Sequence, residues 1–138
     1  MRYLAIDYGG RRTGLAVADG ETRIAIPFSV IEAANNEDRL AGLRRAVDEL
    51  GPDALVLGLP LNMDGSEGPA AKTVRTFAAL IGEHFGLPVH FIDERLTSHD
   101  AEGRLGEAGL TGRRRKARRD AVAAAVFLRD FLVNQEQS

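Results

Sequence analysis

Tyr3-Leu4-Ala5-Ile6-Asp7-Tyr8-Gly9-Gly10-Arg11-Arg12-Thr13-Gly14-Leu15-Ala16 is the first structural signal in the chain. Four apolar residues, Tyr3 to Ile6, read as a strand that runs into the turn Asp7-Tyr8-Gly9-Gly10. Thr13 to Ala18 is a second apolar run, stopped by the hairpin signal Asp19-Gly20. Thr22 to Val30 is a third strand candidate. Pro27 lies inside it, and proline cannot donate to a ladder, so this strand belongs at a sheet edge or carries a bulge. Three sequential strands with short turns predict an antiparallel meander.

Beyond the meander, helices and strands alternate. Asn35-Asn36-Glu37-Asp38 combines a capping amide with first-turn carboxylates. Leu40, Leu43, Val47 and Leu50 follow at helical spacing, and Gly51-Pro52 ends the helix. Ala54 to Leu57 reads as a buried strand opening into the turn-rich loop Gly58 to Ser66. A second helix starts near Pro69, with Val74, Phe77, Ile81 and Phe85 as its apolar stripe and Gly86 with Pro88 as its stop. Val89 to Ile92 is a fifth strand, left by Asp93-Glu94-Arg95-Leu96. Thr97 to Asp100 resembles a capping box and predicts a further helix. An Ala-rich helix over roughly Arg115 to Val133 closes the chain. The pattern predicts an α/β or α+β sheet with parallel later strands, one domain over 1–138, and a loose tail over 134–138.

The chain has 138 residues, 44% apolar and 28% charged, within the range of an ordinary globular domain. Cysteine is absent, which excludes disulfide scaffolds, thiolate metal sites and cysteine nucleophiles. No apolar run approaches a membrane span, and the first one is stopped by Asp7. A cytoplasmic protein is the expectation. The net charge of −2 hides a segregation. Arg113 to Arg119 reads RRRKARR and holds six cations, so the rest of the chain carries −8. Such a basic segment on an acidic body is either a solvated helix entry or the grip for a polyanion.

Candidate chemistry sits at strand ends. Asp7 falls where the first strand stops and Glu94 just past the fifth, and the carboxyl ends of parallel strands form the rim where ligands gather. Asp120 leads the Ala-rich helix, whose small residues permit close approach to a sheet. Carboxylates crowded at one rim need a cation to stay ionised. Oxygen ligands without His or Cys suit Mg²⁺ or Mn²⁺ rather than zinc. Each acid taken alone also fits a cap, a turn or a surface charge. The loop Gly9 to Gly14 offers backbone N–H groups and two Arg to a phosphate, or is simply a tight hairpin turn. It has neither Walker nor GxGxxG spacing. His84, His90 and His99 show no metal-ligand spacing, and Ser66 and Ser98 lack a nucleophile elbow.

Four blocks, Asp7 to Ala16, Gly58 to Ser66, Asp93 to Ser98, and Lys116 through Asp120 into Ala124, together resemble the YqgF (RuvX) family of Holliday-junction resolvases, also described as pre-16S rRNA nucleases. The resemblance spans essentially the whole chain. It implies a ribonuclease H-like α/β fold: a five-stranded mixed sheet, order 3-2-1-4-5, with helices on both faces. It implies that Asp7, Glu94 and Asp120 are the catalytic acids and hold one or two Mg²⁺ (or Mn²⁺) ions for in-line phosphodiester hydrolysis.

The cations then acquire roles. Arg11 and Arg12 would contact phosphate beside the scissile bond. Arg95 would do the same or pair with Glu94. Arg113, Arg114, Arg115, Lys116, Arg118 and Arg119 would grip the polyanion. Asn62 and Asp64 would touch sugar or base edges, or serve only the turn chemistry of their loop.

Four functions compete. The first is a metal-dependent endonuclease maturing the 5′ end of pre-16S rRNA, in contact with the small ribosomal subunit. The second is a resolvase of four-way DNA, which favours a homodimer over a monomer. The third is a non-catalytic RNA-binding assembly factor. The fourth is a phosphotransferase, disfavoured because Asp-x-Gly strand ends of that kind belong to far larger two-domain proteins.

Overall fold

The computed structural model describes the backbone of residues 1–96 and 112–136, and the side chains of residues 1–95 and 119–134. Strands β1 (Arg2–Asp7), β2 (Arg12–Asp19) and β3 (Ala25–Glu32) form the meander. Helix α1 (Asn36–Leu50), strand β4 (Ala54–Leu59), helix α2 (Pro69–Phe85) and strand β5 (Val89–Asp93) follow, and helix α3 (Gly112–Glu136) closes the chain. The strand order is β3-β2-β1-β4-β5. β1 pairs antiparallel with β2 and parallel with β4, and β4 pairs parallel with β5.

Alternation along the strands sorts residues by size. On one face Tyr3, Ala5, Ala16, Ala18, Ala54, Val56 and Ile92 pack against Ala123, Ala124, Phe127, Leu128 and Phe131 of α3. On the other, Leu4, Ile6, Leu15, Leu55, Leu57 and Leu59 pack against Leu43 of α1 and Val74, Phe77 and Ile81 of α2. Small residues on both partners bring α3 close to the sheet. Leucines on the opposite face fill the wider gap under two helices, each fully buried one contributing about 1.5–3 kcal/mol.

Local chemistry explains the boundaries. Asn35 caps α1 by accepting the Asp38 N–H at 2.8 Å, a contact whose loss costs about 1 kcal/mol. Gly51 and Gly86 end α1 and α2 with φ of 58° and 66°, a region that favours glycine. Pro69 opens α2 at a first-turn position, where its missing N–H costs nothing. Both expectations for Pro27 hold together. β3 is an edge strand, and its register slips so that Leu15 faces Ser29 while Ala16 faces Pro27, leaving Phe28 as the bulge residue.

Two expectations need correction. The last helix begins at Gly112 rather than Arg115, since arginine is a good helix former and nothing breaks the run. It also continues to Glu136, so Asn134 to Glu136 are helical rather than tail; these polar residues contain no Gly or Pro to stop it. The helix expected from Thr97 lies outside the described residues. Among the described residues no helix is long and apolar enough to cross a membrane.

Candidate active site

Asp7 is the last residue of β1 and is half-buried. Tyr3 and Ala5 face α3, so alternation turns Asp7 to the same side. Its neighbours on that face are glycines. Asp7 pairs with Gly14 of β2. On the other flank Ile6 pairs with Leu57, and Gly58 follows beside Asp7.

These glycines give the other two acids room. A β-carbon on Gly14 would lie 2.0 Å from the Asp120 carbonyl oxygen and 2.9 Å from the Ala121 nitrogen, so α3 rests directly on β2 at this point. A β-carbon on Gly58 would lie 2.8 Å from Glu94 Oε1, 3.0 Å from Glu94 Cγ and 2.7 Å from the Phe127 ring. Glu94 opens the single 3-10 turn after β5 and folds its side chain back across β4 toward β1. Asp7, Glu94 and Asp120 therefore share one face at the carboxyl ends of β1, β4 and β5. Asp7 and Glu94 thus stand on the rim expected from the sequence. Gly14 and Gly58, expected as turn residues, are instead strand residues against which Asp120 and Glu94 pack; their place within apolar strands was the available signal.

Arg12 opens β2 on the same face. Its Nε lies 3.3 Å from Asp120 Oδ2, with each side chain about a third exposed. Arg11 is exposed, and its carbonyl accepts the Ala33 N–H at 2.9 Å. A cleft of about 590 Å³ adjoins the site on this side, lined by Arg11, Arg12, Glu32, Ala33, Ala34 and Asp38.

Arg95 forms a bidentate ion pair with Asp93, Nη2 lying 2.7 Å and Nε 3.1 Å from the carboxylate. Its Nη1 donates to the Met63 carbonyl at 3.1 Å and so ties the loop after β4 to the end of β5. This guanidinium, sharing its hydrogen bonds, holds the Asp93 carboxyl below the usual carboxylate range. Asn62 and Asp64 make the turn contacts weighed for them. Asn62 Nδ2 donates to Ser66 Oγ at 3.0 Å, and Asp64 Oδ1 accepts from Ser66 N at 2.9 Å and Oγ at 2.6 Å. The Ser66 hydroxyl lowers the Asp64 pKa.

The segment Arg113 to Arg119 forms the first turns of α3, immediately before Asp120. Arg119 is exposed; the side chains of Arg113, Arg114, Arg115, Lys116 and Arg118 lie outside the described residues. Cations here oppose the positive end of the helix dipole, a local cost that a bound anion would remove. His90 packs its ring 5.4 Å from Phe131, and His84 stacks edge-on to Phe85. His90 is partly buried against α3, His84 is an exposed residue of α2, and His99 lies outside the described residues.

The donor set fits a hard divalent cation in kind: three carboxylates on one face, without Cys or His among them. Among the described residues no three acids or imidazoles lie close enough together to hold a metal ion, and Arg12 supplies the positive charge at Asp120.

Comparison with known proteins agrees with this fold. A chain from Anaeromyxobacter sp. (strain Fw109-5), named "Putative pre-16S rRNA nuclease", is 46% identical over 96% of both chains. One of the same name from Chloroflexus aurantiacus is 43% identical over 94% of this chain and 84% of its own. Among solved structures, Thermus thermophilus RuvC in complex with a Holliday junction substrate superposes with a TM-score of 0.62 at 15% identity, covering 99% of this chain and 96% of that one. The fowlpox virus Holliday junction resolvase superposes at 0.52 with 13% identity, each chain fully covered. The fold is thus the ribonuclease H-like sheet expected from the resemblance. The profile of one family, RuvX, described as Holliday junction resolvase, matches residues 1–134, and the chain belongs to that family.

Proposed function

We propose that this protein is a metal-dependent endonuclease of structured nucleic acid, and that its substrate is the 5′ segment of pre-16S rRNA. One observation carries the reading: Asp7, Glu94 and Asp120 come from three separate elements onto one face, around two glycines that clear space for them. Relatives at 43–46% identity that bear the rRNA nuclease name support the choice of substrate. The work of such an enzyme, and the absence of cysteine, fit a cytoplasmic location.

In this reading the three carboxylates would hold Mg²⁺ or Mn²⁺. When bound, the cation lowers the pKa of a water and neutralises charge building on the phosphate. The chain's residues do the rest. Asp7, on a strand buried on both faces, fixes one carboxylate rigidly. Glu94 and Asp120 bring flexible and helical donors to it. Arg11 and Arg12 neutralise the phosphate beside the scissile bond, and a planar guanidinium matches two phosphate oxygens at once. The cations of α3 that precede Asp120 in the chain grip the polyanion. One P–O bond forms to the water oxygen, the P–O bond to a sugar oxygen breaks, and the leaving sugar oxygen takes up the proton that the water gives up. Arg95, engaged with Asp93 and Met63, serves the loop first and meets phosphate only at its exposed edge.

A second reading is resolution of four-way DNA, favoured by the family description and sharing the same site. A cleavage assay separates them. Purified protein with Mg²⁺ or Mn²⁺ meets a labelled pre-16S 5′ segment and a four-way DNA junction, with Asp7→Asn as control. Asp7-dependent cutting of RNA alone supports the first reading, and cutting of the junction alone replaces it with the second. Tight binding without cutting of either leaves the assembly-factor role. Size measurement with and without junction DNA tests the homodimer that the second reading favours.

A further inference from the structure

Arg39 is 3% exposed, yet it is an arginine on the buried face of α1. Its Nε donates to Thr13 Oγ1 at 3.1 Å. Its Nη2 donates to the carbonyls of Gly10 at 2.7 Å, Gly9 at 3.2 Å and Ala33 at 3.4 Å. Its Nη1 donates to Asn36 Oδ1. The guanidinium carbon lies 4.8 Å from the Tyr8 ring centroid and 5.8 Å from that of Phe77. All these partners are neutral. Among the described residues Arg39 has no carboxylate partner, and such a buried cation is expensive unless its geometry is irreplaceable.

The partners explain the geometry. Gly9 and Gly10 form the turn between Asp7 and Arg11, and Thr13 stands between Arg12 and Gly14. Thr13 is itself fully buried on the α1 face. Strand alternation then forces Arg12 and Gly14 onto the opposite face, toward Asp120. Ala33, whose carbonyl Arg39 holds, donates its own N–H to the Arg11 carbonyl. One planar fork thus fastens the backbone before, beneath and after the two arginines. Lysine, with a single ammonium, cannot reach acceptors spread around a plane.

We propose that Arg39 is a positioning residue: bound to Thr13 and the Gly9–Gly10 turn from behind the sheet, it aims Arg12 at the phosphate beside the Asp120 carboxylate. This rests on the reading of Arg12 as a phosphate contact. Arg39 itself touches no substrate.

The test is a binding cycle in an Asp7→Asn background, which prevents turnover. Arg39→Lys and Arg12→Ala, singly and together, are titrated with the labelled pre-16S segment over a range of salt. Arg39→Lys should weaken binding about tenfold and make the slope of log K against log salt shallower by about one, the signature of one lost phosphate contact. In the Arg12→Ala background it should change neither. Thr13→Val, which removes only the hydroxyl acceptor, should act in the same direction with the same dependence on Arg12, and it keeps the test open if Arg39→Lys does not fold. A lowered melting temperature with an unchanged slope, or equal losses in both backgrounds, would make Arg39 a purely structural staple and overturn the proposal. A slope that Arg12→Ala leaves unchanged removes Arg12 from the phosphate site, and this proposal with it.

Discussion

Gly14 and Asp120 touch through backbone: a β-carbon on Gly14 would stand 2.0 Å from the Asp120 carbonyl oxygen. Neither partner can yield by rotating a side chain. Gly14→Ala must push α3 off β2, at a cost of about 3 kcal/mol, the upper end for overpacking. Urea denaturation should report that loss, and cleavage by the folded fraction should fall further, because Asp120 moves with the helix.

Gly58 makes the contrasting case. Its virtual β-carbon meets the Glu94 carboxylate and the Phe127 ring, both of which can shift. Gly58→Ala should cost about 1–2 kcal/mol. Turnover should fall about a hundredfold, the scale of an ångström misplacement at a catalytic group. Comparing stability with single-turnover cleavage in this variant checks the separation.

Asp120→Asn should abolish cleavage and leave stability within about 1 kcal/mol, because the Arg12–Asp120 pair is about a third exposed on both sides and such pairs contribute little. Asp7→Asn and Glu94→Gln should likewise lose cleavage while folding. Near-normal turnover in any of the three removes that residue from the site.

Asp93 titrates below its ordinary value because Arg95 hydrogen-bonds its carboxylate. A carboxylate depressed on folding contributes stability fully above its unfolded pKa of about 3.9, and loses it as pH falls through the lower folded value. The loop held by Arg95 at the Met63 carbonyl should therefore loosen only below about pH 4. The melting curves of the parent and Asp93→Asn should differ from pH 7 down to about pH 4 and draw together as the pH is lowered further.

If about five cations neutralise phosphates, log K should fall with log salt at a slope of roughly −3.5 to −4.5. Replacing Arg113, Arg114 and Arg115 together by Gln should make the slope shallower by about two to three. An unchanged slope would mean that these cations are only a solvated helix entry.

Much of the architecture was legible in local patterns. Tyr3 to Ile6, Ala54 to Leu57 and Val89 to Ile92 announced their strands, Asn35 and Pro69 their helix starts, and Pro27 both its edge and its bulge. Each is a signal between residues close in the chain, where backbone chemistry dominates. Asp7 and Glu94 stood out because strand ends are visible as places where apolar runs stop, and Asp120 because it leads the Ala-rich stretch of the last helix.

Sequence alone thus determined which segments are strands and helices, and which acids stand at strand ends or lead the last helix. The tertiary structure decided what those acids meet. Arg12 finds Asp120 across 108 positions, Glu94 lies over Gly58, and Arg39 of α1 fastens Thr13 of β2. Such contacts depend on strand order and on which helix covers which face. Both are settled by packing, small residues against the alanines of α3 and leucines against α1 and α2, over separations that no local pattern encodes.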